Sequence, residues 1–395
     1  MKKNDSDKSL KILELPSWYL PDGGEFVQQQ ADSLRRAGVD VAIAANCQLP
    51  WKKYRWRVPF FPHRIFSIYE HGLLTYRYYT RRLPRAESFN TEHWIEKTVT
   101  LCEEYIKEQG KPDLIHVHSS MWGGAAALIL KKKYNIPYVI TEHRGRFSEM
   151  SDKNCISIDE KFRDRLSDIF SNAELIIPVS SLLIPKIKSY LQKDIPIKVI
   201  SNMIDVNKFH YIAREKKENF TFMNANHFLW LKGYDILLKA FDIVAEKHEN
   251  ARLVIVGGGF NCKDFKKLWA DCNNHDKITM YGEANQEQVV ECLAAADCFV
   301  LPSRVESQSI AVLEALATGL PVAGTAVVPP EVLTEECGFR VPTNNAEALA
   351  EAMEKIMLNY DSFDKEKISE KTIRTASVEN VVSELLNIYN TIIYD

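Results

Sequence analysis

The chain has 395 residues, is 46% hydrophobic and 26% charged, and carries a formal net charge of -3. A single hydrophobic core stops growing near roughly 250–300 residues, so two domains are expected. The near-neutral charge excludes a global field for nucleic acid, and with no run approaching about 18 apolar residues no transmembrane helix is expected.

In chain order, short apolar strands alternate with amphipathic helices. Lys11 to Leu15 reads as a strand, and the Pro/Gly loop Pro16 to Gly24 follows. Phe26 to Ala37 reads as a helix, with Phe26, Val27, Gln30, Ala31 and Leu34 near helical spacing and Gly38 as its stop. Strand Val39 to Ala45, helix Thr91 to Gln109 and strand Asp113 to Val117 come next. Helix Gly124 to Lys133 then leads to strands Tyr138 to Thr141, Leu175 to Val179 and Lys198 to Ile200. The second half repeats the rhythm. Strands are expected at Phe220 to Asn224, Arg252 to Val256, Ile278 to Tyr281, Cys298 to Leu301 and Pro321 to Gly324. Helices are expected at Gly233 to Lys247, Glu287 to Ala295, Ser309 to Thr318, Ala346 to Met357 and Val378 to Tyr394. Such alternation predicts parallel sheets with crossover helices. The expected fold class is α/β: two Rossmann-like doubly wound domains facing across a cleft. The expected boundaries are 1–204, joined by the closing helix 377–395, and 205–376. Ligands of open parallel sheets bind at the carboxyl ends of strands, where all the candidates below fall.

The segment from Leu301 to Val322 holds two glutamates, Glu306 and Glu314, with seven residues between them. Glu306 sits in a strand-to-helix loop. Glu314 lies about one and a half turns inside the following helix. Free backbone N–H groups at a helix N-terminus suit oxygen-rich ligands, and carboxylates accept hydrogen bonds from hydroxyls. By spacing alone, the pair also reads as a solvated face of an ordinary helix.

The surrounding residues resemble the signature of the retaining glycosyltransferases of family four, which have the GT-B fold. Pro302, Ser303, Glu306, Glu314, Ala315, Ala317, Gly319, Pro321 and Val322 match it. The family's Gly-Phe-Gly after the first glutamate is Ser307-Gln308-Ser309 here, which leaves the identity of the donor sugar open. The resemblance extends to Ala173–Ser180, Lys198–Phe209, Leu253–Gly259 and Ser377–Tyr389.

The resemblance implies a retaining transfer from a nucleotide-sugar, UDP-linked first and GDP-linked as the alternative. The acceptor is a glycan or a lipid-linked molecule, as in surface polysaccharide synthesis. It implies Glu306 as the catalytic carboxylate that holds the sugar, and Glu314 at the ribose. Lys232 matches the family's phosphate-binding lysine, while His227 stands where the family has arginine. Three readings of His227 remain: a phosphate ligand as imidazolium, a structural residue, or a sign of weakened catalysis. Gly23 and Gly24 open a helix and let backbone approach phosphate. Gly282 and Glu283 follow a strand beside the nucleobase, and Ser307, Gln308 and Ser309 complete the donor-binding set. On the acceptor side, His116-Val-His118 ends a strand with both rings on one side. His118 is matched to a family histidine that positions substrate, and His143 to one common after the next strand; by charge, Arg144 and Arg146 suit an anionic acceptor group or are ordinary surface arginines. His-x-His also suits a metal, but no third ligand is evident. No cofactor or metal is expected, and the only Asp-x-Asp, Asp5-Ser-Asp7, receives no role.

Residues 51–85 interleave nine Lys/Arg with ten aromatic residues and one acid, Glu70. That pattern fits peripheral contact with an anionic membrane, or an acceptor-side insertion packed on its own domain. Eight scattered cysteines without zinc-like spacing, and a polar N-terminus, fit a cytoplasmic protein with reduced thiols. Two other functions share the fold: a sugar-nucleotide epimerase and a non-catalytic nucleotide-sugar-binding protein.

Overall fold

The computed structural model describes residues 9–21, 23–49, 64–143, 147, 162–215 and 217–394. The N-terminal sheet has seven strands in the order β3-β4-β2-β1-β5-β6-β7. These are β1 Lys11–Pro16, β2 Asp40–Leu49, β3 Phe66–Glu70, β4 Leu73–Arg81, β5 Leu114–His118, β6 Tyr138–Glu142 and β7 Leu175–Pro178. All pairings are parallel except β3 against β4. The second sheet is wholly parallel, in the order β10-β9-β8-β11-β12-β13. Its strands are β8 Phe220–Ala225, β9 Ala251–Val256, β10 Ile278–Gly282, β11 Cys298–Leu301, β12 Val322–Thr325 and β13 Gly338–Val341. The α/β class with two parallel sheets is therefore as the alternation predicts.

Both sheets are buried on two faces, which is why their strands read as continuous apolar runs. The last helix, Val378–Tyr394, returns to the first domain. Its Val381, Leu385 and Ile388 pack with Ile12, Val27 and Ile43. The two segments that pass between the sheets touch at a single bridge, Ile204 with Ser377.

Three differences from the sequence reading have physical causes. Lys198 to Ile200 is not a strand: one isolated bridge joins Ile197 to Ile176. Ile176 N donates to the Pro196 carbonyl and Lys198 N to the Ile176 carbonyl, both at 3.0 Å, but Pro178 has no N–H to donate to Lys198, so the ladder does not continue. The described part of the basic–aromatic segment, 64–85, is the edge hairpin β3–β4. There Arg77 is buried and pairs with Glu70 through Nε and Nη2, both at 2.6 Å. Those residues build the sheet, while 51–63 lie outside the described residues. Helices Arg163–Ser171, Lys263–Ala270 and Lys365–Ala376, and strand β13, are not among the expected elements; two of these helices span only nine and eight residues and β13 four, too short for a periodic pattern to stand out.

Among the described residues, no helix is long and apolar enough to cross a membrane. All seven described cysteines are free thiols.

Candidate active site

Strand order reverses between β1 and β5 in the first sheet and between β8 and β11 in the second. Loops diverge at such switch points and leave a crevice at the carboxyl ends of the strands. The candidates gather at these two places.

In the second domain, the loop after β8 carries His227 and Lys232, and the loop after β11 carries Glu306. Lys232 Nζ lies 2.7 Å from Glu306 Oε1, and Ser303 Oγ donates to the same oxygen at 2.9 Å. Ser303 is itself held by Thr325 Oγ1, which donates to its carbonyl at 2.6 Å. Gly233, which ends the lysine loop, has φ +67, and a Cβ there would stand 2.1 Å from the Pro302 carbonyl oxygen. Only glycine lets the two loops pack this closely.

Arg304, absent from the sequence candidates, is the clamp of this packing. It is 8% exposed and grips Asp235 with Nη1 at 2.9 Å and Nη2 at 2.7 Å. Nη1 also donates to the Trp230 carbonyl at 2.7 Å, and the guanidinium lies 4.6 Å from the Trp230 ring centroid. A planar fork suits this combined pairing and stacking, which fixes the turn before Lys232. An arginine inside the glutamate signature, with an aspartate just after Lys232-Gly233, was the available signal.

Glu314 is half-buried in helix Ile310–Ala317, and burial pushes its carboxyl up to about 7. His227 and Glu283 are exposed and flank Gly258: a Cβ at that glycine would meet Glu283 Oε1 at 2.4 Å and His227 Nδ1 at 3.0 Å. Gly282 turns with φ +88 just before Glu283. The Ser307-Gln308-Ser309 loop reaches the other domain. Gln308 Oε1 accepts from Asn202 N at 2.7 Å and Ser201 Oγ at 3.2 Å, while Ser180 Oγ donates to the Ser307 carbonyl at 2.7 Å. Ser309 precedes helix Ile310–Ala317 as its N-cap.

In the first domain, Gly23 (φ +88) and Gly24 (φ +91) make the turn into helix Glu25–Arg36. The strand pairing sets Glu14 of β1 opposite His116 of β5, and Pro16 opposite His118. Glu14 and His116 are fully buried and His118 is 1% exposed. His118 Nε2 lies 2.7 Å from Glu14 Oε2, and its Nδ1 lies 3.2 Å from His143 Nε2. Both ring nitrogens of His118 are thus occupied, and the half-buried His143 is the outward ring of the pair. Burial pushes His116 and His118 down to about 3, and His143 well below its usual range. Arg144 lies outside the described residues.

The third ligand that the His-x-His reading lacked is supplied by Glu14. Its ligand atoms and those of the two histidines lie within 4.8 Å of one another. The Gln30 amide nitrogen already sits among them, at 3.3 Å from Glu14 Oε1, 3.1 Å from His116 Nδ1 and 3.4 Å from His118 Nε2. Glu14, one acidic residue in an apolar strand, and Gln30, on the apolar face of its helix, were signals that pattern reading passed over.

Comparison with known proteins finds matches over both halves of the chain. Residues 205–375 match the family described as Glycosyl transferases group 1, and residues 23–208 match Glycosyltransferase Family 4. An uncharacterized glycosyltransferase of Methanocaldococcus jannaschii is 25% identical over 329 residues, covering 77% of this chain and 83% of that one. A GDP-mannose-dependent monoacylated alpha-(1-6)-phosphatidylinositol monomannoside mannosyltransferase of Corynebacterium glutamicum is 28% identical over 214 residues, 49% of this chain and 56% of that protein. Among solved structures, the sucrose-phosphate synthase from Thermosynechococcus elongatus has the same fold, with a TM-score of 0.78 at 20% identity over 97% of this chain and 99% of that one. With two switch-point clusters set on two parallel sheets, and with family matches to each half, the chain belongs to glycosyltransferase family 4 and is a glycosyltransferase of the GT-B fold.

Proposed function

We propose that this glycosyltransferase takes a nucleoside diphosphate sugar and passes the sugar to a hydroxyl of a glycan or lipid-linked acceptor, with retention at the anomeric carbon. The observation that carries this reading is the Lys232–Glu306 pair, held by Arg304 and Gly233 at the β8/β11 switch point. Lys232 turns to the diphosphate when the donor enters. Glu306 then holds the sugar and stabilises positive charge as the anomeric C–O bond to phosphate breaks. A new C–O bond forms to the acceptor on the same face, and the acceptor proton passes to the departing diphosphate oxygen. Glu314 accepts from the ribose hydroxyls. This scheme routes no step through a metal.

UDP is the first candidate nucleotide, on the frequency of the resembling family. The GDP-mannose dependence of the Corynebacterium relative favours GDP as the second. That relative's lipid acceptor supports a lipid-linked acceptor here, met at the cytoplasmic side of a membrane in surface polysaccharide synthesis. Exposed Arg81, which ends β4, and Arg82, Leu83 and Arg85 beyond it suit contact with an anionic surface. Salt-sensitive binding to anionic vesicles tests that contact, and no binding at low salt removes it.

The deciding experiment is a thermal-shift panel with UDP, GDP and ADP, since a ligand that binds only the folded state raises its stability. A shift with one nucleotide, lost in Lys232→Ala and Glu314→Ala, supports the donor site and names the base. No shift with any nucleotide overturns the reading.

A further inference from the structure

The Ser307-Gln308-Ser309 loop directly follows Glu306, yet its polar groups are taken up by the other domain. Ser180 Oγ, just after β7, donates to the Ser307 carbonyl at 2.7 Å. Gln308 is 6% exposed, and its Oε1 accepts from Asn202 N at 2.7 Å and from Ser201 Oγ at 3.2 Å. A backbone N–H only donates, so the amide oxygen of Gln308, not its nitrogen, faces Asn202. A carbonyl oxygen has two lone pairs, and both are used. The Gln308 side chain also lines an interdomain cavity of about 320 Å³, walled by Ser201, Leu313, Glu331, Lys371 and Asn380 among others. Lys232, Glu306 and Glu314 are not part of that wall. Gln308 is therefore committed between the domains, rather than among the donor contacts that the family resemblance implies.

Asn202 is where the two loops meet. It lies two residues before Ile204, which bridges to Ser377 where the chain passes between the sheets. Its backbone N–H meets Gln308, and its side chain hydrogen-bonds the ring of His143. One residue thus touches both the loop of Glu306, after β11, and the loop of His143, after β6. A further tie, from Ser181 N and Oγ to the Glu331 carboxylate at 2.7 and 2.6 Å, lies at the exposed rim. Water competes for that tie, whereas Gln308 is shielded from it.

We propose that Gln308 is a positioning residue: by docking the Glu306 loop on Asn202, it fixes Glu306 of the second domain relative to His143 of the first. Without the Gln308 acceptor, Asn202 N–H and Ser201 Oγ lose their partner together, and the loop keeps only the Ser180 tie. The second domain is then free to shift on the first about the Ile204–Ser377 bridge, which moves Glu306 away from its register with His143. Lys232, Glu306 and Glu314 all belong to the second domain, so their mutual geometry stays. The two consequences separate: nucleotide binding persists, while the meeting of donor and acceptor suffers, because reacting groups must be held close and aligned. That consequence for turnover rests on the transfer proposed above; the docking itself does not.

The test is hydrogen–deuterium exchange of the full chain without ligand, read on peptides that span Asn202, in the native protein, Gln308→Leu and Gln308→Glu. The native chain protects the Asn202 amide. Gln308→Leu, which has no acceptor, speeds its exchange by about tenfold. Gln308→Glu, whose carboxylate accepts both bonds, restores the protection. A freely exchanging Asn202 amide in the native chain overturns the proposal, and so does a folded Gln308→Leu with native exchange there. Should Gln308→Leu fail to fold, the native chain and Gln308→Glu decide. With the nucleotide that the thermal-shift panel identifies, and its sugar form as donor, Gln308→Leu lowers kcat by about tenfold and leaves donor KM within about twofold. Gln308→Glu recovers most of the rate, which a loss of stability alone would not produce. A selective loss of affinity for the nucleotide-sugar over the bare nucleotide in Gln308→Leu makes Gln308 a donor ligand and overturns the positioning role. No nucleotide binding in the panel, with exchange as stated, sinks the transfer reading and leaves the docking standing.

Discussion

At the β1/β5 switch point the polar groups are buried, neutral rings stacked behind one another; at the β8/β11 switch point they are charged and reach the surface. Glu14, His116 and His118 are at most 1% exposed, whereas the Lys232 and Glu306 side chains are 24% and 11% exposed. A line of neutral imidazoles orients hydroxyls but does not offset a diphosphate. A lysine paired with a glutamate does the opposite, because its charge is available once the pair opens. The contrast supports the proposed placing of the phosphates at the second domain and of hydroxyl positioning at the first.

The largest expected effect tests the open–closed role of the ion pair. Glu306→Gln should cut turnover on the order of 10²–10³-fold, the usual scale for losing a transition-state electrostatic partner. It should also raise nucleotide affinity, because Lys232 no longer has to leave a carboxylate. Turnover and calorimetric titration read the two effects, and near-native turnover would remove Glu306 from the chemistry.

Next in size is Gly233→Ala. A Cβ 2.1 Å from the Pro302 carbonyl oxygen, at φ +67, should destabilise the second domain on the order of 3 kcal/mol. Denaturant midpoints measure this. A loss below about 1 kcal/mol would mean the two loops are not rigidly packed.

Glu314→Gln gives opposite signs in stability and binding. The folded carboxyl titrates at about 7 and the ordinary value is 4.5. Between these values the unfolded chain releases its proton while the folded chain keeps it, so stability falls as pH rises through that window and stays lower above it. Removing the group should raise stability at pH 8 by about 2 kcal/mol, after allowance for partial exposure, and change little at pH 4. Nucleotide affinity should fall. Equal melting curves at pH 4 and pH 8 for the difference between the two proteins would refute the buried carboxylate.

The smallest effect concerns His227, exposed beside Glu283. If this ring binds phosphate, His227→Arg keeps or raises donor affinity by up to about 1 kcal/mol, since the guanidinium is always charged. Unchanged affinity in His227→Ala would make the residue structural.

Local pattern carried much of this molecule. Apolar runs between amphipathic helices identified two parallel sheets, because strands covered on both faces have no polar alternation. The helix Val378–Tyr394 and strand Cys298–Leu301 lie where their periodicity puts them. Glu306, Glu314 and Lys232-Gly233 were visible through the resemblance of their flanking residues to the family signature, since spacing alone left a solvated helix face as an equal reading. For the hairpin β3–β4, charge and aromaticity left two readings open, a membrane face and an insertion packed on its own domain, because they do not reveal that Arg77 turns inward to Glu70.

By itself, then, the sequence determined the layer architecture and the family signature, since both depend on neighbours within about twenty residues. Only the tertiary structure decided which groups meet: Glu14 with His118 across 104 positions, Lys232 with Glu306 across 74, Gln308 with Asn202 across 106. The physical reason is strand order. β1 lies beside β5, and β8 beside β11, because sheet register and crossover packing place them there, and no local periodicity encodes that adjacency.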